Sequence, residues 1–238
     1  MNLGKWLTQS GLVVLLPHGY DGAGPEHSSC RIERFLQLTD SWESERVDCE
    51  DVNFNLVNPT TSAQYFHLLR RQIVRNYRKP LIVVGPKTLL RLPAAASSLE
   101  EMGPGTHFLP LIQDAKAPTG SNIKKVIFCS GKHYYALDKE RDAKNLTDTA
   151  IVRLESLCPF PAEEISKNLK KYSQAGQIIW SQEEPRNMGA WSFVVSRFRN
   201  FFGVDLKYAG RPVLPIVATA IGEFHTREHE DVIKDTFS

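Results

Sequence analysis

Short, continuous apolar runs alternate with segments of helical periodicity along most of the chain. Runs of this kind are typical of β-strands that are buried on both faces. The predicted strands cover residues 12–16, 54–57, 80–84, 126–129, 150–154, 177–180 and 206–208. Helical patterns begin near Ser28 or Ser29 and near residues 62, 133, 162, 189 and 223. Strand–helix alternation favours parallel pairing through right-handed crossovers, so the pattern predicts an α/β protein.

The same pattern predicts how the chain is divided. Between residues 92 and 121 it gives way to Pro, Gly, Ala and Ser, which are typical of a linker. We therefore predict two small three-layer parallel-sheet units, residues 1–91 and 122–238, joined by the linker 92–121. In the helix from residue 62, the predicted buried stripe consists of apolar residues at helical spacing: Ala63, Phe66, Leu69, Ile73 and Val74.

Composition excludes several classes of protein. The 238 residues are 42% hydrophobic with a net charge of +2, which rules out intrinsic disorder and predicts no nucleic-acid partner. No apolar run approaches the ~20 residues of a membrane helix, and we expect no signal peptide, because the first 20 residues have no cleavage pattern. The four cysteines form no C-x-x-C pair, so we expect free thiols and no zinc ribbon.

The loop after the first strand is the strongest candidate for chemistry. It reads PHGYDGAGPEHSS over residues 17–29 and connects a buried strand to a helix, where open parallel sheets bind ligands. Its glycines allow close approach of the backbone to a carboxylate or phosphate, His18 and His27 offer titratable imidazoles, and Ser28 and Ser29 offer hydroxyls. The simpler alternative is a turn whose histidines bind backbone carbonyls. The glycine spacing fits neither the dinucleotide nor the P-loop template.

Three other patterns each have a chemical and a simpler interpretation. The H-x-x-E-H sequence from His225 to His229 matches inverted zinc peptidases, but surface histidines on a terminal helix explain it more simply. The seven basic residues in 70–91 either bind phosphates or an acidic partner, or form a solvated helix end. Glu183 and Glu184 either perform acid–base chemistry or, more simply, favour a helix N-terminus or bridge a subunit interface.

Six segments of the chain together resemble one enzyme family. They are residues 17–37, 67–72, 78–82, 86–91, 129–132 and 181–185. The chain is similar over essentially its whole length to the thiamine-diphosphate-dependent 2-oxoacid dehydrogenases of the 2-oxoglutarate type, and within them to the 2-oxoadipate branch. The resemblance implies the end of a transketolase-like pyrimidine-binding domain followed by a transketolase C-terminal-like domain.

The family's chemistry gives the expected function. The resemblance implies oxidative decarboxylation of a 2-oxo diacid with thiamine diphosphate and magnesium, followed by acyl transfer to the lipoyl group of an acyltransferase component. It further implies a homodimer in the mitochondrial matrix. By the matching motif, His27 is the expected catalytic and substrate-binding residue, and His18 and Ser28 are further substrate-binding candidates. The family does not assign a metal ligand to any residue of this chain.

One departure from the family pattern changes the expectation for this chain. The family holds the diphosphate and magnesium with a Gly-Asp-Gly motif, and no such triplet occurs in the sequence. No residue here matches the glutamate that activates the aminopyrimidine. We therefore expect a C-terminal part of the dehydrogenase that binds no cofactor and is inactive alone. The alternative is a non-catalytic dimerisation or assembly module derived from that enzyme.

Overall fold

The computed structural model describes residues 8–22, 24–117 and 122–238, and two β-sheets organise them. The first part of the chain contains β1 (Val13–Pro17), α1 (Pro25–Ser28), α2 (Ile32–Gln37), β2 (Asn55–Val57), α3 (Ser62–Val74) and β3 (Leu81–Gly85). The second part contains β4 (Leu111–Ile112), β5 (Lys125–Cys129), α4 (His133–Ala143), β6 (Thr149–Leu154), β7 (Ser156–Cys158), α5 (Ala162–Lys171), β8 (Gln177–Pro185), α6 (Trp191–Phe202), β9 (Lys207–Arg211) and α7 (Gly222–Phe237). The α/β class is confirmed.

Both sheets are mixed, whereas purely parallel sheets were predicted. The first has the order β1-β3-β2-β7 and the second β4-β6-β5-β8-β9. β7 pairs antiparallel with β2, and β4 pairs antiparallel with β6. For β7 the reason is local: only Glu155 separates β6 from β7, so the chain passes directly from the second sheet into the first without a crossover helix.

The described part of segment 92–121 packs against the first sheet's helix α3. Short 3-10 helices occupy Pro93–Ala95 and Glu100–Met102, and β4 follows. The Gln64 side-chain amide makes two hydrogen bonds to the backbone of Leu109 in this segment. Its Nε2 donates to the Leu109 carbonyl at 2.6 Å, and its Oε1 accepts from the Leu109 N–H at 3.0 Å. The stretch is an ordered connection where the structure describes it; residues 118–121 lie outside the described residues. The predicted domain boundaries stay a prediction.

The predicted buried stripe of α3 is largely wrong. Ala63 is buried, but Phe66, Leu69, Ile73 and Val74 are exposed, Ile73 to 73%. The buried face carries Gln64, His67, Leu68 and Gln72 instead. Its polar groups bind backbone carbonyls of neighbouring segments, as when Gln72 donates to Lys79 O at 2.8 Å. Hydrogen bonding compensates their burial, so hydrophobicity alone selected the wrong face.

One apolar core joins the two sheets. It runs from Ile32 on α2 and Ile82 on β3 to Phe128 on β5 and Trp180 on β8. Phe128 stacks edge-to-face on Phe198 of α6 with ring centroids 5.0 Å apart. In the described part of the chain, no helix is long and apolar enough to cross a bilayer. The shared core fixes the carboxyl end of β1 against the second sheet, where the candidate site lies.

Candidate functional site

The Gly-rich loop starts where β1 ends, at the carboxyl edge of three parallel strands. β1 pairs in register with β3, from Val13 opposite Leu81 to Pro17 opposite Gly85. We call residues 18–31 the His27 loop; Ala23 within it lies outside the described residues. The loop is closed on itself, because the Gly19 N–H donates to the Ser28 carbonyl at 3.1 Å. It is therefore a compact unit at the edge where α/β sheets bind ligands.

His27 lies on the short helix α1 with a partly exposed side chain. Pro25 starts this helix, and the His27 N–H donates to the Gly24 carbonyl at 3.1 Å. The side chain is 47% exposed, and its Nε2 is 3.7 Å from Glu26 Oε1. Lys87, which follows β3, approaches from the other side, with Nζ 3.1 Å from Nδ1. An ammonium can only donate, so Nδ1 accepts and the ring proton is on Nε2.

His18 is buried and joins the two sheets. It is 6% exposed; its Nδ1 accepts from the Cys30 N–H at 3.2 Å, and its Nε2 donates to Glu184 Oε1 at 2.8 Å. Because a backbone N–H can only donate, Nδ1 is the acceptor and the ring proton lies on Nε2. Burial lowers the pKa of His18, whereas the Glu184 carboxylate that accepts this proton raises it. Both ring nitrogens are engaged by protein groups.

The two serines of the loop have different environments. Ser28 is 1% exposed, and its hydroxyl donates to the Gly24 carbonyl at 3.0 Å. Ser29 Oγ accepts from the Arg31 N–H at 3.0 Å, directly before α2. Ser28 therefore closes the single turn of α1, while Ser29 helps to start the next helix.

Lys132 holds the other end of the loop against the second sheet. It lies in the turn between β5 and α4, with Nζ 2.7 Å from Asp21 Oδ1 and 2.9 Å from Glu183 Oε1. Burial alone would raise the pKa of Glu183, but the Lys132 charge, aided by His133 and a hydrogen bond from Lys132, lowers it to about 2. Glu183 is therefore ionised at neutral pH, and Lys132 forms ion pairs with two carboxylates from different parts of the fold.

Glu183 and Glu184 were assigned from sequence to the segment after a strand. β8 continues through both of them to Pro185, beyond the predicted limit at Trp180, because Lys132 and His18 compensate their charges. Both contacts lie within one chain, and the one between Glu184 and His18 joins the two sheets, an arrangement that differs from the helix-end and subunit-interface interpretations. Sequence reasoning missed Lys132 and Lys87 as site residues, although both lie in segments that carry the family resemblance, 129–132 and 86–91.

An apolar cleft of about 500 Å³ adjoins the loop. Leu16, Pro17, Phe66 and Val83 contribute its apolar wall, and Lys87 is its charged residue. The cleft lies at the carboxyl ends of β1 and β3, beside the cation that contacts His27. It can enclose an uncharged ring or chain while Lys87 attracts an anionic group.

Neither the His225–His229 pattern nor the group of basic residues in 70–91 forms this cleft; of their histidines and basic side chains, only Lys87 lines it. His225 and His229 stack with ring centroids 6.5 Å apart on α7, and no three metal-ligating side chains cluster in residues 8–22, 24–117 and 122–238. The basic segment divides between surfaces: Arg75 pairs with Glu50, and Arg71 stacks on Phe108, whereas Lys87 faces His27.

Comparisons with known proteins follow the two parts of the chain. Residues 96–237 match the family model described as 2-oxoglutarate dehydrogenase C-terminal, and residues 1–93 match the transketolase pyrimidine-binding domain. A solved structure described as a split-gene transketolase, inactive beta4 tetramer, has a TM-score of 0.52 at 15% identity, covering 78% of this chain and 56% of that one. This likeness supports the transketolase-like fold.

Curated relatives match almost the whole chain. A probable 2-oxoadipate dehydrogenase complex component E1 homolog of Caenorhabditis elegans is 63% identical over 98% of this chain and 26% of its own length. The 2-oxoadipate dehydrogenase complex component E1 of Homo sapiens is 57% identical over 98% and 26%, and the 2-oxoglutarate dehydrogenase E1 component of Cupriavidus necator 45% over 98% and 24%. The chain thus spans about a quarter of the length of these relatives. The resemblance inferred from the motifs is confirmed: the chain belongs to the 2-oxoglutarate dehydrogenase family, whose C-terminal domain it carries.

Proposed function

We propose that this chain supplies the C-terminal part of the dehydrogenase component of a 2-oxoadipate or 2-oxoglutarate dehydrogenase complex. In this role it takes part in oxidative decarboxylation of a 2-oxo diacid and in acyl transfer to a lipoyl-bearing acyltransferase, as a homodimer in the mitochondrial matrix. The observation that carries the proposal is the His27–Lys87 pair at the carboxyl edge of β1 and β3, open to solvent beside an apolar cleft.

His27 acts as a hydrogen-bond donor in this proposal. Because Lys87 Nζ donates to Nδ1, the Nε2–H is the group that remains to meet a ligand. Directed at a substrate carboxylate or at the enolate oxygen that develops after decarboxylation, this donor stabilises negative charge. The Lys87 ammonium adds a favourable field for an anionic substrate. His18 and Ser28 contribute by holding the loop, through their contacts to Glu184, Cys30 and Gly24.

Thiamine diphosphate is the cofactor that the proposal requires, and its thiazolium carbanion supplies the nucleophile and electron sink for decarboxylation. The residues of this chain fit it only in part. The apolar cleft suits an uncharged ring, but the residues lining it include no carboxylate, and no metal-ligating cluster occurs in the described part of the chain. Hard oxygen ligands are what magnesium requires. We therefore assign the diphosphate and magnesium to other residues of the enzyme.

The isolated chain should bind thiamine diphosphate negligibly. Titration calorimetry with thiamine diphosphate and magnesium is expected to give no resolvable heat of binding, because the cleft offers no ligand for the Mg-diphosphate group. Micromolar affinity for the isolated chain would contradict this prediction.

A chimeric enzyme tests the proposed function directly. The matching quarter of the Caenorhabditis elegans relative is replaced by this chain, with which it is 63% identical. We expect 2-oxoadipate-dependent decarboxylation within about tenfold of the parent enzyme, together with restored cofactor binding. 2-Oxoglutarate differs by one methylene, a difference worth about 1–3 kcal/mol, so both acids are assayed. A folded, cofactor-bound chimera without decarboxylase activity would refute the proposal.

A second candidate is an assembly module that does not catalyse. It is favoured by the apolar residues that α3 and the edge strand β1 leave exposed, among them Leu15, Phe66, Ile73 and Val74. Mixing the chain with full-length subunits separates the two functions. Heterodimers of lowered activity support the module, whereas restored activity of a subunit that lacks the His27 equivalent supports the enzyme role.

A further inference from the structure

The His27 loop is docked on the second sheet at the end opposite His27. Asp21 pairs with Lys132, and the Tyr20 ring lies under the Arg211 guanidinium, 5.2 Å from its centroid. His27 itself contacts Lys87 and Glu26, both on the side of the first sheet. The second sheet can therefore affect the position of His27 only through contacts between the docked end of the loop and the His27 end.

Two hydrogen bonds connect the docked end to the His27 end. The Gly19 N–H donates to the Ser28 carbonyl at 3.1 Å, and the Cys30 N–H donates to His18 Nδ1 at 3.2 Å. Ser28 directly follows His27 in sequence. Residues 18–21 and 28–30 are therefore linked directly to each other, and His27 adjoins this link.

Lys132 is the centre of the docking contact. Its side chain is 15% exposed, and Nζ reaches Asp21 at 2.7 Å, Glu183 at 2.9 Å and the Tyr20 carbonyl at 3.5 Å. The loop backbone lies directly on its aliphatic stem: a Cβ at Gly19 would be 2.9 Å from Lys132 Cε. Without the ammonium, the partly exposed Asp21 carboxylate and the buried Glu183 carboxylate would lie close together with no cation between them, and like charges repel.

From this geometry we infer that Lys132 is a positioning residue for His27, acting through Asp21 and the closed loop rather than on the substrate. The inference rests on the proposed role of His27 and extends it to a side chain from the second sheet. Removing the Lys132 charge releases residues 18–21, and with them the turn that carries His27. Lys132→Arg retains the charge and rescues docking in part.

Cys30 gives a readout of docking that does not depend on activity. It lies in the loop and is partly buried, while Cys129 and Cys158 are buried and Cys49 is exposed. In a Cys49→Ser background, labelling by a thiol reagent under native conditions reports opening of the loop at Cys30. We expect Lys132→Met to raise the labelling rate about tenfold and Asp21→Asn to raise it less.

The control is Lys144→Met, which removes an ammonium paired with Glu140 at 2.8 Å beyond the other end of α4. It should leave Cys30 labelling unchanged, and urea denaturation establishes that each variant is folded. The double variant of Lys132 and Asp21 should label no faster than Lys132→Met alone, because both changes break the same contact. If Lys132→Met is too unstable, Asp21→Asn and Lys132→Arg carry the test. Unchanged labelling in a folded Lys132→Met or Asp21→Asn variant overturns the inference.

The chimera then relates docking to catalysis. Lys132→Met should lower kcat at least tenfold with a smaller change in KM, and Lys132→Arg should recover part of the loss. Faster Cys30 labelling with unchanged kcat would overturn the positioning role. If His27→Ala also left kcat unchanged, the proposed function of His27 would fail while the docking contact stood. The two failures are therefore distinguishable.

Discussion

Replacing His27 with Ala in the chimeric dehydrogenase should lower kcat/KM about 100-fold, the scale on which loss of one preorganised donor acts. The Nε2–H is held ready by the Lys87 contact to Nδ1 at 3.1 Å, so no other tautomer needs to form before it donates. Steady-state kinetics with 2-oxoadipate, at saturating thiamine diphosphate, measures the effect.

Two controls make this result specific. His107→Ala removes another histidine, one that does not line the cleft, and should leave kcat/KM within about twofold. His27→Gln, which keeps a donor at a comparable reach, should recover part of the loss. An unchanged kcat/KM for His27→Ala would leave His27 a structural role only.

Replacing Glu155 with Ala should lower the free energy of unfolding by about 2–3 kcal/mol. Its carboxylate is fully buried between β6 and β7 and accepts from the Thr60 N–H at 2.8 Å and the Thr60 hydroxyl at 2.5 Å. Truncation leaves both donors without a partner and opens a cavity at the junction of the two sheets. Urea denaturation followed by circular dichroism measures the loss.

Glu155→Gln separates the hydrogen bonds from the charge. Burial raises the pKa of Glu155 from 4.5 to about 7, against the opposing effects of Arg153 and the Thr60 hydrogen bonds. The folded state favours the protonated acid. The contribution of protonated Glu155 to the free energy of unfolding is therefore complete below pH 4.5 and is lost as the pH rises towards 7. A shift of this size corresponds to about 3 kcal/mol.

Glutamine cannot ionise, so the Glu155→Gln variant lacks this pH dependence. The stability of the variant relative to the original chain should therefore increase between pH 4.5 and 7 and stay constant above that interval. If the difference in free energy of unfolding between the two proteins does not change between pH 4.5 and 7, the raised pKa of the buried Glu155 carboxyl is contradicted.

Strands were predictable from sequence because buried parallel strands are continuous apolar runs. Leu81–Gly85 and Lys125–Cys129 are each within one residue of the predicted limits. Predictions failed where polar groups are buried with partners from distant segments. On α3, Ile73 is exposed and its neighbour Gln72 is buried, because the Gln72 amide binds the Lys79 carbonyl.

The candidate loop was predictable for a different reason: it follows a buried strand and contains histidines and glycines. Its partners were not. Lys132 is 112 residues from Tyr20, whose carbonyl it contacts, and Glu184 is 166 residues from His18, so neither spacing nor periodicity relates them. Only the packing of the two sheets around one core brings these groups together.

Strand β7 has a consequence for gene shuffling. The two family matches meet between residues 93 and 96, which makes that point an obvious place to recombine related genes. Yet Ser156–Cys158 completes the sheet formed by β1, β2 and β3. Recombination at that point would pair the edge strand β7 from one parent with the sheet of the other. Only parents whose residues are compatible where β2 pairs with β7 should therefore yield well-folded hybrids.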